Sequence, residues 1–145
     1  MKILYADDDS DDREFFASML AAIDPEIKLV QAADGIDTLR LLAAGVLPDL
    51  IFLDINMPKL NGVDTLKEIR KDSRLNDTKV IMYSTSITKS SIRGYEGMNV
   101  NFLKKPNSMH EGINAVRMVL EERSVSLFPK TPVPVLRHMS FHSPF

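Results

Sequence analysis

The 145-residue chain contains no cysteine, which excludes disulfides, thiolate catalysis and cysteine-based zinc sites. It also lacks a dense block of lysine and arginine: 18 basic side chains stand against 20 acidic ones, for a formal net charge of −2. A nucleic-acid footprint needs a basic patch or stripe, so that class of partner is disfavoured. No apolar stretch approaches the roughly 20 residues a membrane helix requires. At its start, MKILYADDD has too short an apolar run before its acids to serve as a secretory signal. Together these absences give the expectation of a cytoplasmic protein with no membrane partner.

What is present suits a globular domain. Hydrophobic residues make up 44% of the chain and charged residues 26%, and the length fits one domain with its own core. Short apolar runs alternate with longer segments of helical period, which predicts βα units and a parallel sheet. The runs are Ile3–Ala6, Ile27–Ala32, Leu50–Leu53, Val80–Tyr83 and Val100–Leu103. Leu50-Ile51-Phe52-Leu53 is apolar without alternation, as expected of a strand covered on both faces.

Between the runs lie candidate helices. In the first, Phe15, Phe16, Met19, Leu20 and Ile23 recur at three- and four-residue spacing and make one apolar face, with Ser10 or Asp11 as the cap. Ile36–Ala44 is the second, ended by Gly45 and Pro48, and Val63–Lys71 the third, with Leu66 and Ile69 inward. A fourth around Ser90–Glu96 is weakened by Gly94 and Gly97, and a fifth, Met109–Arg123, buries Ile113, Val116 and Leu120. The reading is a flavodoxin-like (βα)5 doubly wound parallel sheet of strand order 2-1-3-4-5, with right-handed crossovers.

The stretch ILYADDDSDD is the puzzle. Asp7, Asp8, Asp9, Asp11 and Asp12 repel one another directly after a buried strand. In isolation they read as a solvated helix start, since acids there favour the helix dipole. In an open parallel sheet, however, ligands bind beyond the carboxyl ends of the strands. Asp54 ends the third strand, Ser84 and Thr85 the fourth, and Lys105-Pro106 the fifth. Such a rim could bind a hard, oxygen-loving cation such as Mg²⁺ through carboxylates. Asp54 could then attack phosphorus as a nucleophile, while Lys105 and a hydroxyl hold the phosphoryl oxygens.

At these residues the chain resembles the response-regulator receiver domains of two-component signalling. The motifs are the early Asp7-Asp8, then LDINMPKLNG, the hydroxyl residue after the fourth strand, and Lys105-Pro106. The resemblance covers residues 1 to 123 and is of the stand-alone type, similar in style to regulators of phytochrome-type kinases. It implies Asp54 as phospho-acceptor, and Asp7 and Asp8 as the pair organising Mg²⁺. It further implies the Asn56 backbone carbonyl as a metal ligand, Ser84 and Lys105 as partners of the phosphoryl group, and Phe102 as the switch aromatic. Met57-Pro58 and Gly62 match the turn after the acceptor, where glycine would tolerate the backbone angles. Such a protein is not an enzyme in its own right. Its partners would be a sensor histidine kinase or phosphotransfer protein and a downstream protein target.

There are departures. Ser84 stands where Thr is commoner, Thr85 where many relatives carry Ala or Gly, and Phe102 where some carry Tyr, so any switch would act by packing. Competing readings are a haloacid-dehalogenase-like phosphatase, built on Asp7-x-Asp9, and a pseudo-receiver whose pocket is unused. The phosphatase would need an acidic pair at a later strand end, and after Lys105 only Glu111, Glu121 and Glu122 remain. Residues 124–145 form a proline-rich tail holding four of the chain's eight prolines, too short for a second domain. Such a tail is expected to be flexible, or its apolar residues to dock on a partner or a second copy, as in a homodimer. His138 and His142, four apart within it, have no convergent acid to support a metal site.

Overall fold

Every residue of Leu50–Leu53 is buried, because this run forms the central strand of a sheet with helices on both faces. A computed structural model describes residues 1–124. Among these, β1 (Lys2–Ala6), β2 (Lys28–Ala32), β3 (Leu50–Leu53), β4 (Lys79–Ser84) and β5 (Val100–Lys104) alternate with α1 (Ser10–Ile23), α2 (Gly35–Ala43), α3 (Gly62–Arg70), α4 (Lys89–Arg93) and α5 (Met109–Ser124). A single 3-10 turn, Ser73–Leu75, precedes β4 and was not anticipated by the sequence. All neighbouring strands pair in parallel, in the order β2-β1-β3-β4-β5. This is the flavodoxin-like topology expected from the alternation.

The two sheet faces carry separate cores. Ile3, Tyr5, Phe52, Ile81, Tyr83 and Leu103 pack against Phe16 and Met19 of α1 and Val116 and Val119 of α5. On the other face Leu4, Ala6, Ile51, Leu53, Met82 and Phe102 meet Leu42 of α2, Leu66 and Ile69 of α3, and Tyr95 beyond α4. The period-2 division within β1 and β3 follows from the alternate direction of side chains along a strand. No helix among the described residues is long and apolar enough to cross a membrane.

Some details differ from expectation. The cap of α1 is Asp9, whose carboxylate accepts from the backbone N–H groups of Asp11 at 2.8 Å and Asp12 at 3.2 Å, and not Ser10 or Asp11. Phe15 is 36% exposed, since Phe16, Met19 and Leu20 already fill the inward stripe. α4 is only five residues long and ends at Gly94, in keeping with its glycines. Residues 125–145, with His138 and His142, lie outside the described residues.

Gly62 is needed for space rather than for its backbone angles. Its φ is not in the left-handed region; Lys59 holds the positive φ of this loop, at 68°. A Cβ on Gly62 would sit 2.6 Å from the carbonyl oxygen of Asp54 and 2.9 Å from Cα of Ile55. The Gly62 N–H also donates to the Ile55 carbonyl at 2.9 Å, so α3 starts hard against the loop that follows Asp54. Gly62→Ala is therefore expected to destabilise by roughly 1–3 kcal/mol, read as a lower urea midpoint at unchanged slope. A midpoint equal to that of the parent protein would show that the loop yields freely.

Candidate functional site at the sheet rim

The rim lies where strand order reverses, between β1 and β3. Beyond β1, the Asp7 N–H still donates to the Ala32 carbonyl at 3.1 Å, so the chain stays extended. Asp7 therefore projects on the same side as Tyr5, two residues earlier. Beyond β3, the Asp54 N–H donates to the Ala6 carbonyl at 3.0 Å, and beyond β5 the Lys105 N–H donates to the Ser84 carbonyl at 2.9 Å. Continued pairing past the strand ends thus fixes the three backbones that carry Asp7, Asp54 and Lys105.

Their side chains converge. The Lys105 ammonium donates to Asp7 Oδ2 at 2.5 Å, Asp12 Oδ2 at 2.9 Å and Asp54 Oδ2 at 3.4 Å. It also lies 5.9 Å from the centre of the Tyr83 ring. Asp7 is fully buried and Asp54 is 7% exposed. Burial alone would lower the Lys105 pKa, but hydrogen bonds to Asp7 and Asp12 and the charges of Asp54 and Asp7 outweigh it and raise it. The lysine is a fixed cation. Asp54 is pushed above the usual carboxylate range, first by burial and also by Asp7, with Lys105 pulling the other way.

Asp7 is densely held. Its Oδ2 accepts from the Tyr5 hydroxyl at 2.5 Å as well as from Lys105, its Oδ1 accepts from the Asp9 N–H at 3.0 Å, and its carbonyl accepts from Arg13 at 2.6 Å. Burial and the hydrogen bond to Asp7 push the Tyr5 phenol far above its ordinary range, so it stays a donor. Asp8 is exposed, yet one oxygen each from Asp7, Asp8 and Asp54 lie within 4.8 Å of one another. Three carboxylates gathered this closely suit, in their chemistry, a hard, oxygen-preferring cation such as Mg²⁺.

The remaining residues fall as follows. Ser84 ends β4 and is buried, two residues beyond Met82, the register partner of Leu53. The exposed Asn56 donates its N–H to Asp54 Oδ1 at 3.4 Å. Phe102 is buried on β5, its ring edge-on to Tyr95 at 5.3 Å. Thr85, Ser86 and Lys104 are exposed, as ordinary surface residues. His110 is exposed too and meets Asn114 at 3.3 Å. Sequence reasoning missed three groups. Asp12 was assigned to the helix dipole and instead binds Lys105, Tyr5 was counted as strand interior, and Tyr95 was given no role. The only signal for Asp12 was an acid count beyond what a cap and a dipole need.

An open, doubly wound α/β domain with acids and a lysine at its switch point is the class these features define. The response regulator receiver domain family matches residues 3–117, and the chain belongs to it. The chain is 32% identical over 108 residues to the chemotaxis protein CheY1 of Helicobacter pylori, covering 73% of this chain and 86% of that one. It is 36% identical over 121 residues to the transcriptional regulatory protein CpxR of Klebsiella pneumoniae, covering 82% of this chain and 49% of that one. Against a sensor histidine kinase, CheAY of Helicobacter pylori, it spans 13% of the longer protein. Among solved structures, the phosphorylated cyanobacterial phytochrome response regulator RcpA superposes with a TM-score of 0.75 at 28% identity, over 86% of this chain and 94% of that one. Membership in this family sets aside the phosphatase reading. Asp9, its required second acid, is occupied with capping α1.

The Tyr95 hydroxyl is buried and has no hydrogen-bond partner among the described residues. An unsatisfied buried donor costs about 1–3 kcal/mol. Tyr95→Phe is accordingly expected to raise the stability of the metal-free protein by about 1 kcal/mol, measured by chemical denaturation. Lower stability would show that the hydroxyl has a partner after all.

Proposed function

We propose that this domain is a phosphorylation switch in which Asp54 takes a phosphoryl group from the phosphohistidine of a sensor histidine kinase or phosphotransfer protein. In that step an Asp54 carboxylate oxygen forms a bond to phosphorus as the nitrogen–phosphorus bond breaks, and the departing imidazole takes up a proton. Asp7, Asp8, Asp54 and the Asn56 backbone carbonyl would hold Mg²⁺, which when bound supplies charge neutralisation for the phosphoryl oxygens. Lys105 would leave part of its carboxylate set to hold one of those oxygens, and Ser84 would approach another. The observation that carries this reading is the Lys105 ammonium shared among Asp7, Asp12 and Asp54 at the switch point. One cation bridging acids from three segments fits a site that receives an anion.

The same reading extends to output. Phe102 would repack as Ser84 moves, biasing the α4–β5 face between two arrangements that a protein target distinguishes. The chemistry belongs to residues 1–123, and 124–145 are left for docking to a partner or a second copy. The likeness to RcpA, a phytochrome response regulator, supports a kinase of that kind, acting in the cytoplasm. The domain contributes positioning and electrostatics to its own phosphorylation but turns over no separate substrate.

Incubation with acetyl phosphate and Mg²⁺ is expected to add one phosphoryl mass to the protein, and none to Asp54→Asn. An unchanged mass in the parent protein, or a modified Asp54→Asn, would refute the assignment. Lys105→Ala is expected to bind Mg²⁺ yet show no amide shifts at Ser84 and Phe102 when beryllofluoride is added. Parent-like shifts in that variant would remove lysine from the switch.

A further inference from the structure

Tyr5 occupies an unusual place for a polar side chain. It lies in β1 and is fully buried, with its ring centroid 4.3 Å from Phe16 and 5.7 Å from Tyr83. A buried phenol needs a partner for its hydroxyl, and this one donates to Asp7 Oδ2 at 2.5 Å. Aromatic packing fixes the ring, and the two-residue spacing along an extended chain fixes its direction toward Asp7. Lys105 is different in kind, an ammonium divided among Asp7, Asp12 and Asp54.

We propose that Tyr5 is a positioning residue for the divalent-cation site: its hydroxyl pins the Asp7 carboxylate so that Oδ1 faces the ion and Oδ2 keeps a donor when Lys105 turns away. The lone pairs support this. A carboxylate oxygen has about two acceptor directions, and on Oδ2 both are filled, by Tyr5 and Lys105. On Oδ1 only the Asp9 N–H is seated, which leaves one acceptor direction open for an ion. When the lysine is drawn to a phosphoryl group, a fully buried oxygen would otherwise lose its donors. Tyr5 prevents that, so lysine transfer carries a smaller penalty. The inference rests on the metal-dependent reading above and adds the group that orients its buried ligand.

The test is calorimetric titration of Mg²⁺ into the metal-free full chain and into Tyr5→Phe, Asp7→Asn and the double variant. Phenylalanine preserves the ring and its packing, and unfolding curves in chelator confirm folding. Loss of the partner that orients a ligand typically weakens metal binding on the order of tenfold, and that is the effect expected for Tyr5→Phe. In the Asp7→Asn background the same substitution should change affinity by less than about twofold, because neighbouring effects merge when one acts through the other. Affinity equal to the parent's in Tyr5→Phe, or equal losses in both backgrounds, would overturn the proposal. A second readout needs no variant: the Tyr5 hydroxyl proton of the parent protein should be a slowly exchanging, downfield resonance that moves when Mg²⁺ is added. A resonance that stays in place counts against it. Parent protein that binds no Mg²⁺ defeats this proposal and the metal-dependent reading together, whereas normal parent binding with an indifferent Tyr5→Phe defeats this one alone.

Discussion

One ammonium makes the rim possible. Asp7 and Asp54 are almost entirely removed from water, and an uncompensated buried charge costs several kcal/mol. Lys105, itself only 9% exposed, is the cation that meets both. The sheet brings it there: parallel pairing carries β1, β3 and β5 to the same edge, although Lys105 and Asp7 are 98 residues apart in sequence. A lysine that already bridges carboxylates can exchange one of them for a phosphoryl oxygen without leaving its pocket. The contacts that hold the folded rim together are thus the ones the chemistry would draw on.

The opposite edge is tied differently. Arg70, at the end of α3, donates to the carbonyls of Leu75, Thr78, Met98 and Asn99 at 2.9–3.2 Å. Burial lowers its pKa, yet a guanidinium remains a cation throughout the working range. These bonds join the turn before β4 to the turn before β5 and so anchor the amino ends of both strands. At their carboxyl ends lie Ser84 and Lys105, while Phe102 within β5 packs on Tyr95, just beyond the short α4. A strand pair fixed at one end and shaped by exchangeable contacts at the other is suited to small movements at the rim. Among the described residues, the Tyr95 hydroxyl against Phe102 is buried without a hydrogen-bond partner. Any second arrangement that supplied it with an acceptor would gain that much.

The fold was legible because its inner strands β1, β3 and β4 are buried on both faces and leave uninterrupted apolar runs, with boundaries that differ by a residue or so from those observed. The cap of α1 was not. Five carboxylates in six positions offer several short acceptors, and only the backbone geometry at Asp9 selects among them. Asp54, Asp7 and Lys105 could be read because each directly follows a strand, so topology alone brings them together. Asp12 reaches the same site by side-chain length and direction, which no spacing rule encodes. Tyr5 shares the face of Asp7 by strand alternation, a rule that does not tell a buried ring from one whose hydroxyl has a task. Gly62 was the right residue with the wrong reason: a close approach to the Asp54 carbonyl and not a left-handed backbone angle.

Asp54, the proposed acceptor, sits in a compromise. Burial and Asp7 raise the Asp54 pKa, so the folded state holds a proton there more readily than the unfolded chain does. The sign follows from linkage: stability from this group is greatest below the unfolded carboxylate range and is lost as pH rises through the higher folded value. At neutral pH an ionised Asp54 therefore works against the fold, while attack on phosphorus requires that ionised form. Lys105 narrows the conflict without abolishing it, because its charge is divided with Asp7 and Asp12. A divalent ion at Asp7, Asp8 and Asp54 would act in the same direction as the lysine, favouring the anion. The acids that looked self-defeating in the sequence would then form a pocket whose excess negative charge favours a cation, and whose stability would rise on filling it.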